Sequence, residues 1–332
     1  APRHMSADEF DTIRDLFAPL AQSAGARGLN DDVAVLEATS ALVVTSDAIV
    51  EGVHFLPDDP IEAVAKKALR VNISDLVAKG ARCTGVLVTL IWPERRPSAE
   101  IAGFARGLGE DLQFYGAQLL GGDTTATPGP LTVSVTAFGV PLGPRVPARA
   151  DAQVGDQLWV TGEIGDACLG LMSLTEAPAV LGAAPADQVD AFASLVRARY
   201  RLPAPPVAFA PAIARFARAS CDVSDGLLAD AGNIARASGV SVRIDAEAIP
   251  LSAPGHAYVA ARGDEGLLRL VSAGDDYQAL FTAAPEDRGR ILEAARAADV
   301  TVSLIGDIEG GSGVRLEGKA GEIAIGTAGH RH

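Results

Sequence analysis

Segments of helical periodicity alternate with short apolar runs along nearly the whole chain, and this alternation constrains the fold more than any other feature. Apolar residues recur at helical spacing in about residues 7–22, 61–79, 98–115, 188–200, 206–218, 227–238 and 286–298. Between them lie β-like runs at 41–46, 84–91, 131–140, 157–161, 240–244, 277–282 and 300–305, rich in Val, Ile, Leu and Thr and bounded by Gly, Pro or Asp. The fold class is therefore α/β or α+β. With 332 residues, 48% of them hydrophobic, two domains are expected. The Pro- and Gly-rich stretch from Pro141 to Asp156 is the best boundary, dividing the chain into residues 5–144 and 145–332. Residues 177–187, rich in Ala and Pro, are expected to form a surface excursion, and no repeat of roughly 20–50 residues is present.

A net charge of −14 argues against a nucleic-acid groove or an anionic membrane surface, both of which need clustered Lys and Arg. An acidic protein that binds phosphates needs metal ions between the two. The apolar runs at 41–45 and 84–92 are too short to cross a bilayer, so a soluble, cytosolic protein is expected. Residues 1–4 read as an expression remnant ahead of a native Met5. Cys83, Cys168 and Cys221 form no C-x-x-C pair, and no disulfide is expected.

Aspartate recurs beside Gly, Ser, Thr or Asn at the ends of apolar runs. The occurrences are Asn30-Asp31-Asp32, Thr45-Ser46-Asp47, Asn72-Ile73-Ser74-Asp75, Gly121-Gly122-Asp123-Thr124, Asp222-Val223-Ser224-Asp225-Gly226 and Gly274-Asp275-Asp276-Tyr277. Carboxylates with small neighbours can point into a crevice, and several together repel one another unless cations sit between them. Hard oxygen ligands of this kind suit Mg²⁺, which takes its remaining ligands from water and substrate phosphates. The local alternative is that single motifs are turns or caps, Asp225-Gly226 in particular. Asp123 is harder to assign that way, because Gly121 and Gly122 allow backbone amides to approach a phosphate closely.

Other chemistries are absent from the sequence. It contains no Walker A motif, no protein-kinase catalytic loop, no H-E-x-x-H, no zinc spacing of Cys and His, and no G-x-S-x-G elbow. Cys221 beside Asp222 fits a small buried side chain better than a nucleophile. His54, in Val50-Glu51-Gly52-Val53-His54-Phe55, reads in isolation as a packed or capping histidine.

In order and spacing these acidic motifs, with the Val50–Phe55 segment, resemble the thiamine-monophosphate kinase family from near the N-terminus to about residue 308. The Val50–Phe55 segment separates that family from its relatives in the aminoimidazole ribonucleotide synthetase-like superfamily. The resemblance implies ATP-dependent phosphorylation of thiamine monophosphate to thiamine diphosphate with several Mg²⁺ ions. It implies a metal shell of Asp32, Thr45, Ser46, Asp47, Asp75, Asp123, Asp222 and Asp225, with Asp123, Asp47 and Asp225 central to catalysis. Gly122, Asp123, Arg149 and Ser224 then correspond to ATP contacts, and His54 and Asp275 to contacts with thiamine monophosphate. It also implies a homodimer in which the N-terminal domains, each a mixed sheet with helices, build a shared barrel-like sheet with the ATP sites at the interface, beside a C-terminal α/β domain.

Three departures from the family pattern stand out: Asn30 replaces a glycine, Asp275 replaces a glutamate, and the end Gly326–His332 lacks the family's aromatic residues. Two other readings remain open at this point, another ATP-dependent synthetase of the superfamily and a non-catalytic nucleotide or metal sensor. The expected mechanism needs no general base, because the second pKa of a phosphate monoester is about 6.

Overall fold

The computed structural model describes residues 31, 34–37, 41–97, 99–176 and 187–325. The helix expected at 7–22, Asp32, the excursion at 177–186 and the C-terminal residues 326–332 lie outside the described residues.

The first domain is a five-stranded sheet in the order β1-β2-β5-β3-β4. Its strands are β1 (Ala34–Glu37), β2 (Ala41–Val50), β3 (Ala81–Pro93), β4 (Gln118–Thr127) and β5 (Thr132–Pro141). All neighbours are antiparallel except β3 and β4, which run parallel. Helix α1 (Ile61–Ala78) joins β2 to β3, and α2 (Glu100–Tyr115) makes the crossover from β3 to β4. Strand β5 alternates buried with half-buried residues, so Val133, Val135 and Ala137 pack on one face. Val86, Val88 and Leu90 of β3, Leu69, Ile73 and Leu76 of α1, and Phe104 and Leu108 of α2 complete that core. Each fully buried large side chain contributes roughly 1.5–3 kcal/mol.

The second domain is a seven-stranded sheet in the order β12-β11-β8-β10-β6-β9-β7. Its strands are β6 (Gln157–Thr161), β7 (Ser220–Asp222), β8 (Ser241–Asp245), β9 (Ala279–Ala283), β10 (Val302–Glu309), β11 (Gly313–Gly318) and β12 (Gly321–Ile323). Among the described residues, six α-helices accompany it: α3 (Asp166–Thr175), α4 (Val189–Arg201), α5 (Ala210–Phe216), α6 (Leu227–Ser238), α7 (Ala253–Val271) and α8 (Arg288–Ala298). The central strands are buried on both faces, which is why β6 and β9 read as continuous apolar runs rather than alternating ones. Leu158, Val160 and Leu280 pack toward Leu227, Leu228 and Ile234 of α6. Trp159 and Phe281, stacked at 6.4 Å between ring centroids, pack toward Ile213, Phe216 and Ile291 on the other side.

Several elements differ from the expectation. Residues 118–127 form β4 although Gly121 and Gly122 carry no strand propensity. A side chain at Gly122 would sit 1.8 Å from the Val88 carbonyl oxygen, so glycine is there to let β4 close on β3. Helices α3 and α7 also have no counterpart in the periodicity; α7 is interrupted at Gly263, whose φ of 59° and ψ of −144° are non-helical. Two aspartates expected at strand ends lie inside strands, Asp47 in β2 and Asp123 in β4, and Asp75 lies inside α1. Asp222 does end a strand.

Candidate active site

Both domains contribute to a cavity of about 600 Å³. Thr45, Ser46, Asp47, His54 and Asp75 line it from the first domain, and Asp222, Ser224, Asp225, Asp275 and Tyr277 from the second. Arg149 lines it as well, on the turn Arg149–Asp151 between the two sheets. The cavity therefore gathers ten of the thirteen residues singled out from the sequence; Asp32 lies outside the described residues, and Gly122 and Asp123 lie elsewhere.

Helix α1 anchors the acids of both domains. Its Asp75, buried, accepts a hydrogen bond from Thr45 Oγ1 at 2.5 Å. One turn earlier, the buried Asn72 donates to the Ala68 carbonyl at 3.0 Å and accepts from the Asp47 backbone N–H at 2.9 Å, which fixes β2 against the helix. Ser74 Oγ donates to Asp222 Oδ2 at 2.7 Å across the domain boundary. At the end of the helix, the fully buried Lys79 donates to the Ser220 carbonyl at 2.6 Å and pairs with Asp31 at 2.6 Å. Ser46 turns its hydroxyl toward β5, within 3.2 Å of the Val135 carbonyl and 3.0 Å of Thr136 Oγ1.

The two acidic motifs of the second domain are packed backbone to backbone. The Asp275 N–H donates to the Ser224 carbonyl at 2.9 Å, and the Tyr277 N–H to the Val223 carbonyl at 2.8 Å. A side chain at Gly274 would lie 2.0 Å from the Ser224 carbonyl oxygen, so this glycine is what allows the approach. Asp230, 0% exposed in the first turn of α6, accepts from the backbone N–H groups of Ser224, Asp225 and Gly226 at 3.1, 3.0 and 3.2 Å. The carboxylate that satisfies this helix start is thus Asp230, not Asp225.

Electrostatics report the convergence of the acids. Burial first, and then the Asp275, Asp47 and Asp222 carboxylates, hold the Tyr277 phenol well above its ordinary 10.0, so one buried hydroxyl feels acids from both domains. Asp276 lies behind the cavity wall and accepts from the Gly165 and Ala167 N–H groups at 2.8 and 3.4 Å, at the start of α3. Burial pushes its carboxyl up to about 8 against the opposing pull of those two amides.

His54 sits in the turn after β2, where its Nδ1 accepts from the Val50 N–H at 3.1 Å. That contact leaves the proton of the neutral ring on Nε2. Cys221, fully buried on β7, has the structural environment expected of it.

Gly122 and Asp123 stand apart. In the sheet register Asp47 pairs with Val135, Val135 with Val88, and Val88 with Gly122, so three strand spacings, about 14 Å, separate the two motifs. Asp123 is exposed on the edge strand, and its Oδ1 accepts from the N–H of Thr124 at 2.8 Å. Among the described residues, no three His, Cys, Asp or Glu side chains are grouped closely enough to cage a metal ion.

Sequence reasoning did not find Lys67, Lys79 or Asp230, and it quoted Asn72 and Ser74 only as neighbours of Asp75. For Asp230 a signal existed, an acid in the first turn after Asp225-Gly226; for the lysines there was none.

Two acid-bearing α/β domains closing on one cavity define the class. The AIR synthase related protein, N-terminal domain, matches residues 30–141, and the AIR synthase related protein, C-terminal domain, matches residues 153–319. Thiamine-monophosphate kinase of Caulobacter vibrioides is 41% identical over 338 residues, covering 100% of this chain and 93% of the relative. Thiamine-monophosphate kinase of Escherichia coli K12 is 36% identical over 290 residues, covering 85% of each. The solved structure of AaThiL complexed with AMPPCP and TMP superposes with a TM-score of 0.85 at 30% identity, covering 100% of this chain and 99% of that one. The chain belongs to the thiamine-monophosphate kinase family.

Proposed function

We propose that this chain transfers the γ-phosphoryl group of ATP directly to the phosphate of thiamine monophosphate, forming thiamine diphosphate and ADP. The observation that carries the proposal is the convergence of Asp47, Asp75, Asp222, Asp225 and Asp275, from both domains, on one cavity that also holds Arg149 and His54. The relatives support it by name, and AaThiL has been solved with AMPPCP and TMP together.

The nucleophile is a terminal oxygen of the substrate phosphate. With a second pKa of about 6, that oxygen is largely deprotonated at neutral pH, so no side chain needs to remove a proton. The protein's task is to align two polyanions in an acidic cavity. Arg149 and the backbone around Ser224 take the ATP phosphates, while His54 Nε2–H and Asp275 orient the organic substrate.

The donor set fits Mg²⁺. It consists of carboxylates and the Thr45 hydroxyl, all hard oxygens, the ligand type of an ion that takes one or two carboxylates and completes its shell with phosphate and water. When bound, Mg²⁺ would neutralise phosphate charge and hold the two substrates in line. Asp47, Asp75, Asp222 and Asp225 are the carboxylates that one chain offers, one or two of them to each ion.

Asp123 and Gly122 are assigned to a homodimer. Strand β4 is an open edge carrying exposed Leu119 and Leu120, and exposed Phe114 lies near its start. A ten-residue edge with apolar side chains is a template for pairing. A second copy seated there would bring Asp123 of one protomer toward the acids of the other. The cytoplasm is the proposed compartment, in keeping with three buried cysteines that form no disulfide among the described residues; among the described residues no helix is long and apolar enough to cross a membrane.

The test is incubation with ATP, Mg²⁺ and thiamine monophosphate while thiamine diphosphate and ADP are quantified. Equimolar formation of both is expected. ADP without thiamine diphosphate, or no ADP at all, would overturn the proposal.

A further inference from the structure

Lys67 is a buried charge that the mechanism above leaves unused. It lies in the first half of α1 and is 1% exposed. Its ammonium donates to the His54 carbonyl at 2.8 Å and to Asp275 Oδ2 at 2.8 Å, and it sits 4.2 Å from the centroid of the Tyr200 ring on α4. An ammonium has three N–H donors, and these neighbours occupy its surroundings with a carbonyl, a carboxylate and an aromatic face. Lys67 therefore acts through its neighbours rather than on a ligand.

Two of those neighbours, His54 and Asp275, are the residues assigned to the organic substrate, one from each domain. Asp275 has a left-handed backbone, φ 73°, an uncommon conformation for a non-glycine residue that persists only where the surroundings hold it. Three contacts do so: its N–H on the Ser224 carbonyl, the Tyr277 hydroxyl donating to Oδ1 at 3.1 Å, and Lys67 on Oδ2. The His54 loop has a second tie to the other domain, because Arg201 of α4 pairs with Asp59 at 2.6 Å and Asp59 in turn accepts from the Leu56 N–H at 2.8 Å. Lys67 and Arg201 thus pin the first domain's substrate loop to α4 and to the Asp275 loop.

We infer that Lys67 is a positioning residue for the organic substrate, holding the His54 loop and the Asp275 carboxylate in register so that both domains meet that substrate as one wall. The inference rests on the proposed function through the roles given to His54 and Asp275. ATP is held at the Arg149 and Ser224 side, which Lys67 does not touch, so its removal acts on one substrate only.

The experiment compares the unmodified chain with Lys67→Met and Lys67→Arg, varying thiamine monophosphate and ATP in turn, with thermal unfolding of each protein recorded. Lys67→Met is expected to raise KM for thiamine monophosphate at least about tenfold while KM for ATP stays within about twofold. Lys67→Arg keeps the buried charge and the fold but cannot place one donor centre between both acceptors, and it is expected to raise the same KM at least about threefold. If Lys67→Met does not fold, Lys67→Arg carries the test. A folded variant with both constants unchanged, or with both raised by the same factor, would overturn the inference while leaving the proposed function standing. An unmodified chain that makes no thiamine diphosphate would overturn the proposed function, and this inference with it.

Discussion

Asp75 and Asp123 both come from short motifs of small and polar residues, yet they occupy opposite kinds of place. Asp75 is buried between domains, hydrogen-bonded to Thr45 and flanked on α1 by Asn72 and Ser74, each of which holds another part of the cavity. Asp123 stands exposed on an edge strand beside Leu119 and Leu120. The α1 region is organised within one chain, whereas the β4 region presents side chains whose natural counterpart is another protein surface. A motif can thus specify a residue's chemistry without saying which molecule completes its site.

Mutating an acid of the cavity and the acid of the edge strand separately gives the largest expected effects. Asp47→Asn and Asp123→Asn should each lower kcat by about 10²-fold or more, with unfolding midpoints near that of the parent. Mixing the two inactive variants after subunit exchange should restore about a quarter of parental activity, because half the dimers are mixed and one of their two sites regains both acids. No recovery would place Asp123 in the site of its own chain and erase the contrast between the regions.

Stability is the next measure. Asp230→Ala removes the acceptor of three backbone N–H groups and should cost about 2–4 kcal/mol in denaturant unfolding, with activity falling as the Ser224–Gly226 turn loosens. Leu119→Asp should scarcely change that stability, since the side chain is already exposed. It should instead weaken self-association at least about tenfold and make specific activity depend on protein concentration, as sedimentation and dilution assays would show. Equal effects of Leu119→Asp on fold and association would mean β4 packs within its own chain.

The smallest effect is one of pH. The carboxyl of Asp276 is raised from 3.8 to about 8 in the folded state, so the native protein binds the proton more tightly than the unfolded chain does. Its contribution to stability is complete below about pH 4 and is lost as pH rises to about 8. Asp276→Asn should therefore flatten the fall in unfolding temperature between pH 5 and about 8, leaving the acidic side little changed. An unaltered slope would assign the pH dependence to other groups.

Legibility in the sequence followed the range of the forces involved. Helix α6 was expected at its observed limits because its apolar spacing and the closing Gly239 are local signals. Strand β4 was missed because its partner is built elsewhere and its glycines serve the Val88 carbonyl, not strand propensity. Helix α7 was missed because Gly255, Gly263 and Gly266 break the pattern that its packing against the second core restores. The acids of the cavity were legible because each carries its small neighbours with it. Lys67 was not, since Lys66-Lys67 on a helix looks like a solvated pair until Asp275, 208 positions later, is placed beside it. The fold class and the cavity's acids could thus be read from the chain, while the interactions that hold them came from distant partners.

Lys67 and Lys79 also bear on how the molecule comes apart. Each sits in or at the end of helix α1 in the amino-terminal half and is shared between an oxygen of its own half, His54 or Asp31, and one of the carboxyl-terminal half. Pulling the halves away from each other would take one oxygen partner from each ammonium and open to water the apolar surface packed around it, so each half is less stable alone. Melting should accordingly proceed in a single concerted step, and fragments severed near residue 150 should recover their shape only when combined.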